Sequence, residues 1–320
     1  MLVPAKLNPL PGLALAALPS ASVLGFGLAF LSLMGGRDQV WHMVDTAGSY
    51  SLLMVVTVGG VTLLLSGLLC MGLTGRHAPL VVLVGLGMLP WFLGIAGTEE
   101  AVEKMLAALP AAGSGELLSA LMTGTGEAMV ARLLGAWASA GLLVGMAVGI
   151  TLLRKQAALM GEDAGRLLGA ALSLVLGAVA LLVALEAAQL FELLTSMSTQ
   201  SDEAHAGLIA AGTQRLLQLQ TLRSAILGAL GVLALALVCW QLFIRPEAVG
   251  QWVGSMMLAA LAVTVLMLDG RPLRLAAHMA QEAGLPRDVM SMLAPTDTSL
   301  GLAATPPAHL QVPSAHVPAP

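Results

Sequence analysis

Residues 133–153 read LLGAWASAGLLVGMAVGITLL, a run without a charged side chain that closes on the basic pair Arg154-Lys155. A bilayer core about 30 Å thick is crossed by roughly 20 apolar residues in a helix, and this run has that length. Glycine recurs through it, as it does through the chain at large (36 of 320 residues). Small residues suit close helix–helix approach in lipid, where backbones must touch to gain dispersion energy. Comparable runs lie at about 20–36, 50–72, 78–98, 167–185, 224–244 and 251–268. The predicted fold is therefore all-α, a polytopic transmembrane bundle of about seven membrane helices arranged as hairpins.

Composition closes off the other classes. The chain is 58% hydrophobic and 10% charged, with 14 Lys plus Arg and 18 Asp plus Glu, and its mean hydropathy is +0.89. A soluble domain carries roughly 25% charged residues, so a soluble enzyme, a disulfide scaffold and a disordered chain are excluded. A net charge of −4 without a basic stripe gives nothing for nucleic acid to bind. The expected surroundings are lipid. Cys70 and Cys239 both lie inside apolar runs and read as small buried residues. The histidines at 42, 77, 205, 278, 309 and 316 have no ligand spacing, so neither a metal nor a cofactor is expected. No nucleophile stands beside an evident base, which leaves catalysis without support.

Basic residues set the orientation. Lys6, Arg76, Arg154, Lys155, Arg166 and Arg245 fall in short connections on one side. Arg37, Lys104, Arg132, Arg215, Arg223, Arg271, Arg274 and Arg287 are spread over longer segments on the other. The denser side is expected to be cytoplasmic, giving a topology with the N-terminus inside and the C-terminus outside. Residues 1–19 form an N-terminal segment that also fits a signal peptide, from Lys6 through Leu10–Ala21 and Pro19-Ser20-Ala21-Ser22. The apolar run continues past any cleavage site there, which favours a retained helix. Residues 20–153 and 154–268 hold the membrane helices. The long outer segments, 99–132 and 186–223, each carry Gly-Thr shortly before the returning helix, at 124–125 and 212–213. This suggests a topological repeat of the hairpin. Asp269-Gly270-Arg271-Pro272 reads as a turn that opens an amphipathic segment at 269–293, and a Pro-rich tail over 294–320 is expected to be disordered.

Charges within or beside membrane helices are expensive and by default mark a pathway or a paired structural site. The candidates are Glu127 with Arg132, Glu186, Arg223 and Asp269. Glu127 and Arg132 are five residues apart, whereas an intrahelical ion pair wants three or four, so each is expected to face a different partner. Glu99, Glu100 and Glu103 with Lys104 read as a wet helix start or a cation-collecting mouth. Trp41, Trp91, Trp240 and Trp252 read as interfacial anchors near span ends.

Pro90-Trp91-Phe92-Leu93-Gly94-Ile95-Ala96-Gly97-Thr98 resembles the Pro-x-x-Gly-x-x-Gly-Thr signature of the MotA/TolQ/ExbB proton-channel family, with one extra residue before Gly94. Glu127-Ala128-Met129-Val130-Ala131, followed by Gly135, is similar to the acidic motif on that family's next helix. The resemblance spans about residues 85–150. It implies a homo-oligomeric inner-membrane subunit of an energy-transducing envelope complex, surrounding a partner's single helix that bears an Asp. Carried over by position, Thr98 is the pore-lining hydroxyl, Glu127 the acidic residue and Arg132 the occupant of a position where the family has a hydroxyl. The chain departs from the pattern further, with Glu99 and Glu100 directly after Thr98, Gly141 where a Pro is expected, and three more helices downstream. Two other functions fit the composition: a non-conducting membrane scaffold, suggested by few buried charges and the Pro-rich tail, and a small hairpin-repeat transporter. The transporter needs polar groups converging near mid-bilayer, while the ionisable residues are expected toward the outer helix ends.

Overall fold

The computed structural model describes residues 9–73, 80–108, 117–157 and 163–199, together with 212, 214–216, 218–229, 231, 260, 263, 264, 267–269 and 271. The described residues are helical apart from short turns, with no strand among them. The helices are α1 (Pro9–Leu33), α2 (Arg37–Thr46), α3 (Ser49–Leu73), α4 (Leu80–Ala108), α5 (Leu117–Ala157) and α6 (Asp163–Thr199). Five of these six, all except α2, are long and apolar enough to cross a membrane. The protein is thus a helical, multi-pass membrane protein. The two further spans expected at 224–244 and 251–268 lie mostly outside the described residues, and the tail at 294–320 and all of 269–293 except Asp269 and Arg271 lie outside them.

α5 is the axis of the bundle. Of an apolar 18-residue stretch within it 78% is buried, against 17% for the corresponding stretch of α1 and 28% for that of α3. Its neighbours are fitted by glycine. A Cβ at Gly94 on α4 would stand 2.7 Å from the Ala131 carbonyl oxygen and 3.1 Å from the Gly135 Cα, and one on Gly135 would meet the Pro90 carbonyl. Backbone thus touches backbone where α4 crosses α5, the close approach that small residues allow in lipid. Gly87 meets Leu143 near one end of this seam and Gly124 meets Met105 near the other, so α4 and α5 run antiparallel. Around the seam Trp91, Met88, Leu133, Leu142, Leu143 and Met146 are fully buried.

Pro90 sits inside α4. A helical proline lacks the N–H for the ladder and pushes against the preceding turn. One turn of the disturbed backbone is caught from outside the helix: the Trp91 N–H donates to Ser139 Oγ of α5 at 2.9 Å. α1 is tied to α5 by two similar bonds, Ser22 Oγ to the Gly141 carbonyl and Trp137 Nε1 to the Phe26 carbonyl, both 2.7 Å. The opposite faces of α1 and α3 expose Leu24, Leu28, Leu52, Val55, Val56 and Leu63. Apolar faces of that extent suit hydrocarbon and do not suit water.

Three expectations change. α4 continues to Ala108, α5 begins at Leu117 and α6 continues to Thr199, so much of 99–132 and of 186–199 is helix continuous with the spans. α5 alone has 41 residues, about 60 Å at 1.5 Å per residue. Reading hydropathy stops a span at its first charge, yet Arg132 and Glu186 are neutralised inside the bundle and the helices run on past them. α2, a short helix between Gly36 and the turn at Gly48, has too few apolar residues to register as a run. Asp269 does not open a turn; it is helical and 2% exposed.

Candidate functional site

Four of the ionisable residues read from the sequence meet, three of them buried and Arg223 partly exposed. Arg132 projects from α5 and is 1% exposed; Glu186 on α6 is 3% exposed. Arg223 lies in the helical stretch 218–229 and Asp269 in 267–269. Arg132 grips Asp269 with both arms of its guanidinium, Nε to Oδ1 at 3.0 Å and Nη2 to Oδ2 at 2.5 Å. Arg223 Nη1 donates to Glu186 Oε2 at 2.6 Å. Each arginine also stands 3.7 Å from the other carboxylate. Two cations and two anions thus form one neutral quartet.

Neutral groups complete the setting. Trp91 Nε1 donates to Asp269 Oδ1 at 3.0 Å, and Gln220 Nε2 donates to Glu186 Oε1 at 3.2 Å. A buried ion pair is maintained only when geometry is good and its remaining lone pairs are used; here both carboxylates take bonds on both oxygens. The Pro90 irregularity bears on this, because the backbone bond from Trp91 to Ser139 fixes the residue whose indole reaches Asp269. Arg271, two residues beyond Asp269, lies 3.3 Å from Glu99 in the second half of α4.

Two members of the quartet stand away from the helix ends toward which ionisable groups were expected. Arg132 falls well inside the candidate span Ser119–Leu152, and Glu186 well inside Gly169–Ser196. Trp91 is likewise no interfacial anchor, being 1% exposed and bonded to Asp269.

The two residues singled out by the family motif stand apart from the quartet. Thr98 is fully buried and its hydroxyl donates back to the Gly94 carbonyl at 2.8 Å. That bond uses the hydroxyl's proton within the helix's own backbone. Glu127 is exposed and lines an open cleft of about 550 Å³ together with Tyr50, Glu100, Lys104 and Ala131. Within the cleft Glu100 accepts from Tyr50 Oη at 2.6 Å and pairs with Lys104 at 2.5 Å. Among the described residues no three His, Cys, Asp or Glu side chains converge on a metal-sized site.

Three participants escaped the sequence reading. Gln220 and Ser139 are uncharged, and Trp91 fitted an interfacial pattern. The available signal was weak: a Trp directly after an intrahelical Pro, and lone polar residues on otherwise apolar faces. No family model, curated protein or solved structure matches this chain. The resemblance to the proton-channel family accordingly stands on its two motifs alone.

Proposed function

We propose that the chain is a proton-transferring subunit of an inner-membrane energy-transducing complex, with about seven membrane helices in hairpins, and that its ionisable station is the quartet of Arg132, Glu186, Arg223 and Asp269. The observation that carries this reading is the meeting of four ionisable side chains from four separate stretches of the chain, with Arg132, Glu186 and Asp269 buried, Arg223 partly exposed, and Arg132 and Glu186 within apolar candidate spans. Intramembrane ionisable residues mark proton relays and ion paths. Carboxylates are the groups here that can accept and give up a proton, while the arginines stay charged.

This reading shifts the roles implied by the motifs. Thr98 has its hydroxyl bonded within its own helix and Glu127 faces an open cleft, so neither is the station. The resemblance looks to a separate single-helix partner for an Asp; Asp269 of the same chain stands against Arg132 instead. The test is proton flux in proteoliposomes. Glu186→Gln, and the paired replacement of Arg132→Met with Asp269→Leu, are expected to abolish flux, while Thr98→Val and Glu127→Gln leave it unchanged. The paired replacement removes both charges together and so avoids stranding one. Flux that survives it, or that disappears with Thr98→Val, overturns the assignment.

A second reading is favoured by the balance of the charges. A neutral, mutually bonded quartet also serves as a clamp that joins α5, α6 and the last described segments in a non-conducting scaffold. In that case wild-type liposomes show no flux above empty ones, and the paired apolar replacement keeps the protein folded.

A further inference from the structure

Threonines buried in these helices normally return their hydroxyl to the carbonyl four residues back. Thr62 does so to Val58 at 2.6 Å and Thr98 to Gly94 at 2.8 Å, as does the exposed Thr151 to Ala147 at 2.7 Å. Thr125 on α5 does not. It is fully buried, and its Oγ1 has no hydrogen-bond partner among the described residues. Seven residues on, the same holds for Nη1 of Arg132, and beside the quartet it holds for Oε1 of Gln220. A fourth such atom, Gln189 Oε1, lies on α6 one turn beyond Glu186. Leaving a buried donor or acceptor unmade costs about 1–3 kcal/mol, and native interiors meet such atoms with ordered water.

The positions are not scattered. Residues 122, 125, 129 and 132 follow the three-four spacing of a single helix face. Ala128, a small side chain, stands beside that face between Thr125 and Arg132. Thr125 and Arg132 are about 10 Å apart along the axis, a gap that about three waters bridge at hydrogen-bond spacing of roughly 2.8 Å. We propose that a short file of ordered water runs along this face from Thr125 Oγ1 to Arg132 Nη1 and Gln220 Oε1, linking the quartet with the end of the bundle where α5 begins. The file supplies what the quartet lacks as a proton station, a polar route through apolar packing. The inference depends on the proton-transfer reading for its purpose, whereas the water itself is tested separately.

The chain holds its own reporters. Met122 and Met129 flank Thr125 on the proposed wet face, and Met88 and Met146 sit in the apolar core; all four are at most 2% exposed. Hydroxyl radicals generated from bound water by X-ray radiolysis oxidise neighbouring methionine sulfur even where bulk solvent does not reach. In the intact protein in nanodiscs, Met122 and Met129 are expected to oxidise several-fold faster than Met88 and Met146. The isosteric Thr125→Val variant is expected to lose most of that excess, together with several-fold of the proton flux. Equal protection of all four methionines overturns the water file, as does an excess untouched by Thr125→Val. Excess oxidation that Thr125→Val removes, in a protein that passes no protons, upholds the file and overturns the proton-transfer reading instead.

Discussion

Replacing Asp269 with Asn isolates the energetic role of the quartet. The substitution keeps size and one acceptor oxygen, yet it turns the other oxygen, bonded to Arg132 Nη2 at 2.5 Å, into an amide donor facing a donor. The cluster then carries a net positive charge. Arg132, 1% exposed, keeps only Glu186 at 3.7 Å, and that carboxylate is already bonded to Arg223 at 2.6 Å. Removing one partner of a buried pair costs about 3–5 kcal/mol because the other charge is left buried. Removing both, as Arg132→Met with Asp269→Leu, is often neutral or stabilising by about 1–4 kcal/mol. Against that stands the Trp91 indole N–H, left without its acceptor at about 1–3 kcal/mol. The double variant is thus expected within about 2 kcal/mol of wild type, well above the single. Unfolding in mixed micelles, followed by tryptophan fluorescence, reads both. The reasoning is refuted by a single variant within about 1 kcal/mol of wild type, or by a double variant that loses as much as the single.

Three other outcomes follow from packing and bonding described above. Gly135→Val drives a branched side chain into the Pro90 carbonyl and the Gly94 backbone; a loss of about 1–3 kcal/mol or more is expected in the same unfolding assay. Trp137→Phe deletes the bond to the Phe26 carbonyl while keeping an aromatic ring against Phe26 and Phe30. It is expected to cost about 1 kcal/mol and to speed proteolysis within α1 more than within α6. Tyr50→Phe breaks a bond to Glu100, whose other partner Lys104 is exposed; the change in stability is expected to stay below about 1 kcal/mol, with no loss of folded protein on size exclusion.

The membrane character of the chain was legible because it is written in length and apolarity, and both survive any tertiary arrangement. The spans around α3, α4 and α5 could be placed to within a few residues at the ends where charge and apolarity change together, as at Leu73. They failed where a charge lies within a span, since Arg132 reads as a helix end until its counter-charge is known. Arg132, Glu186, Arg223 and Asp269 were each recognisable as costly residues. Their meeting was not, because the pairing joins positions 137 residues apart and no local spacing records it. Trp91 was misread for a related reason: an amphipathic ring suits an interface as well as an interior acceptor, and only the location of Asp269 distinguishes the two. The motif-based roles of Thr98 and Glu127 rested on position in sequence, whereas exposure and the bond from Thr98 to Gly94 are decided by packing.

The distance in sequence between Arg132 and Asp269 also orders events during biosynthesis. α5 and its arginine are made long before the ribosome reaches Asp269, with Glu186 the first of the quartet's anions to arrive and one shared with Arg223. Until the later stretch docks, the nascent bundle holds an under-compensated cation in oil. Insertion of the whole therefore ends with an electrostatic latch, and a chain stalled or cut short of residue 269 leaves Arg132 without its two-armed carboxylate partner.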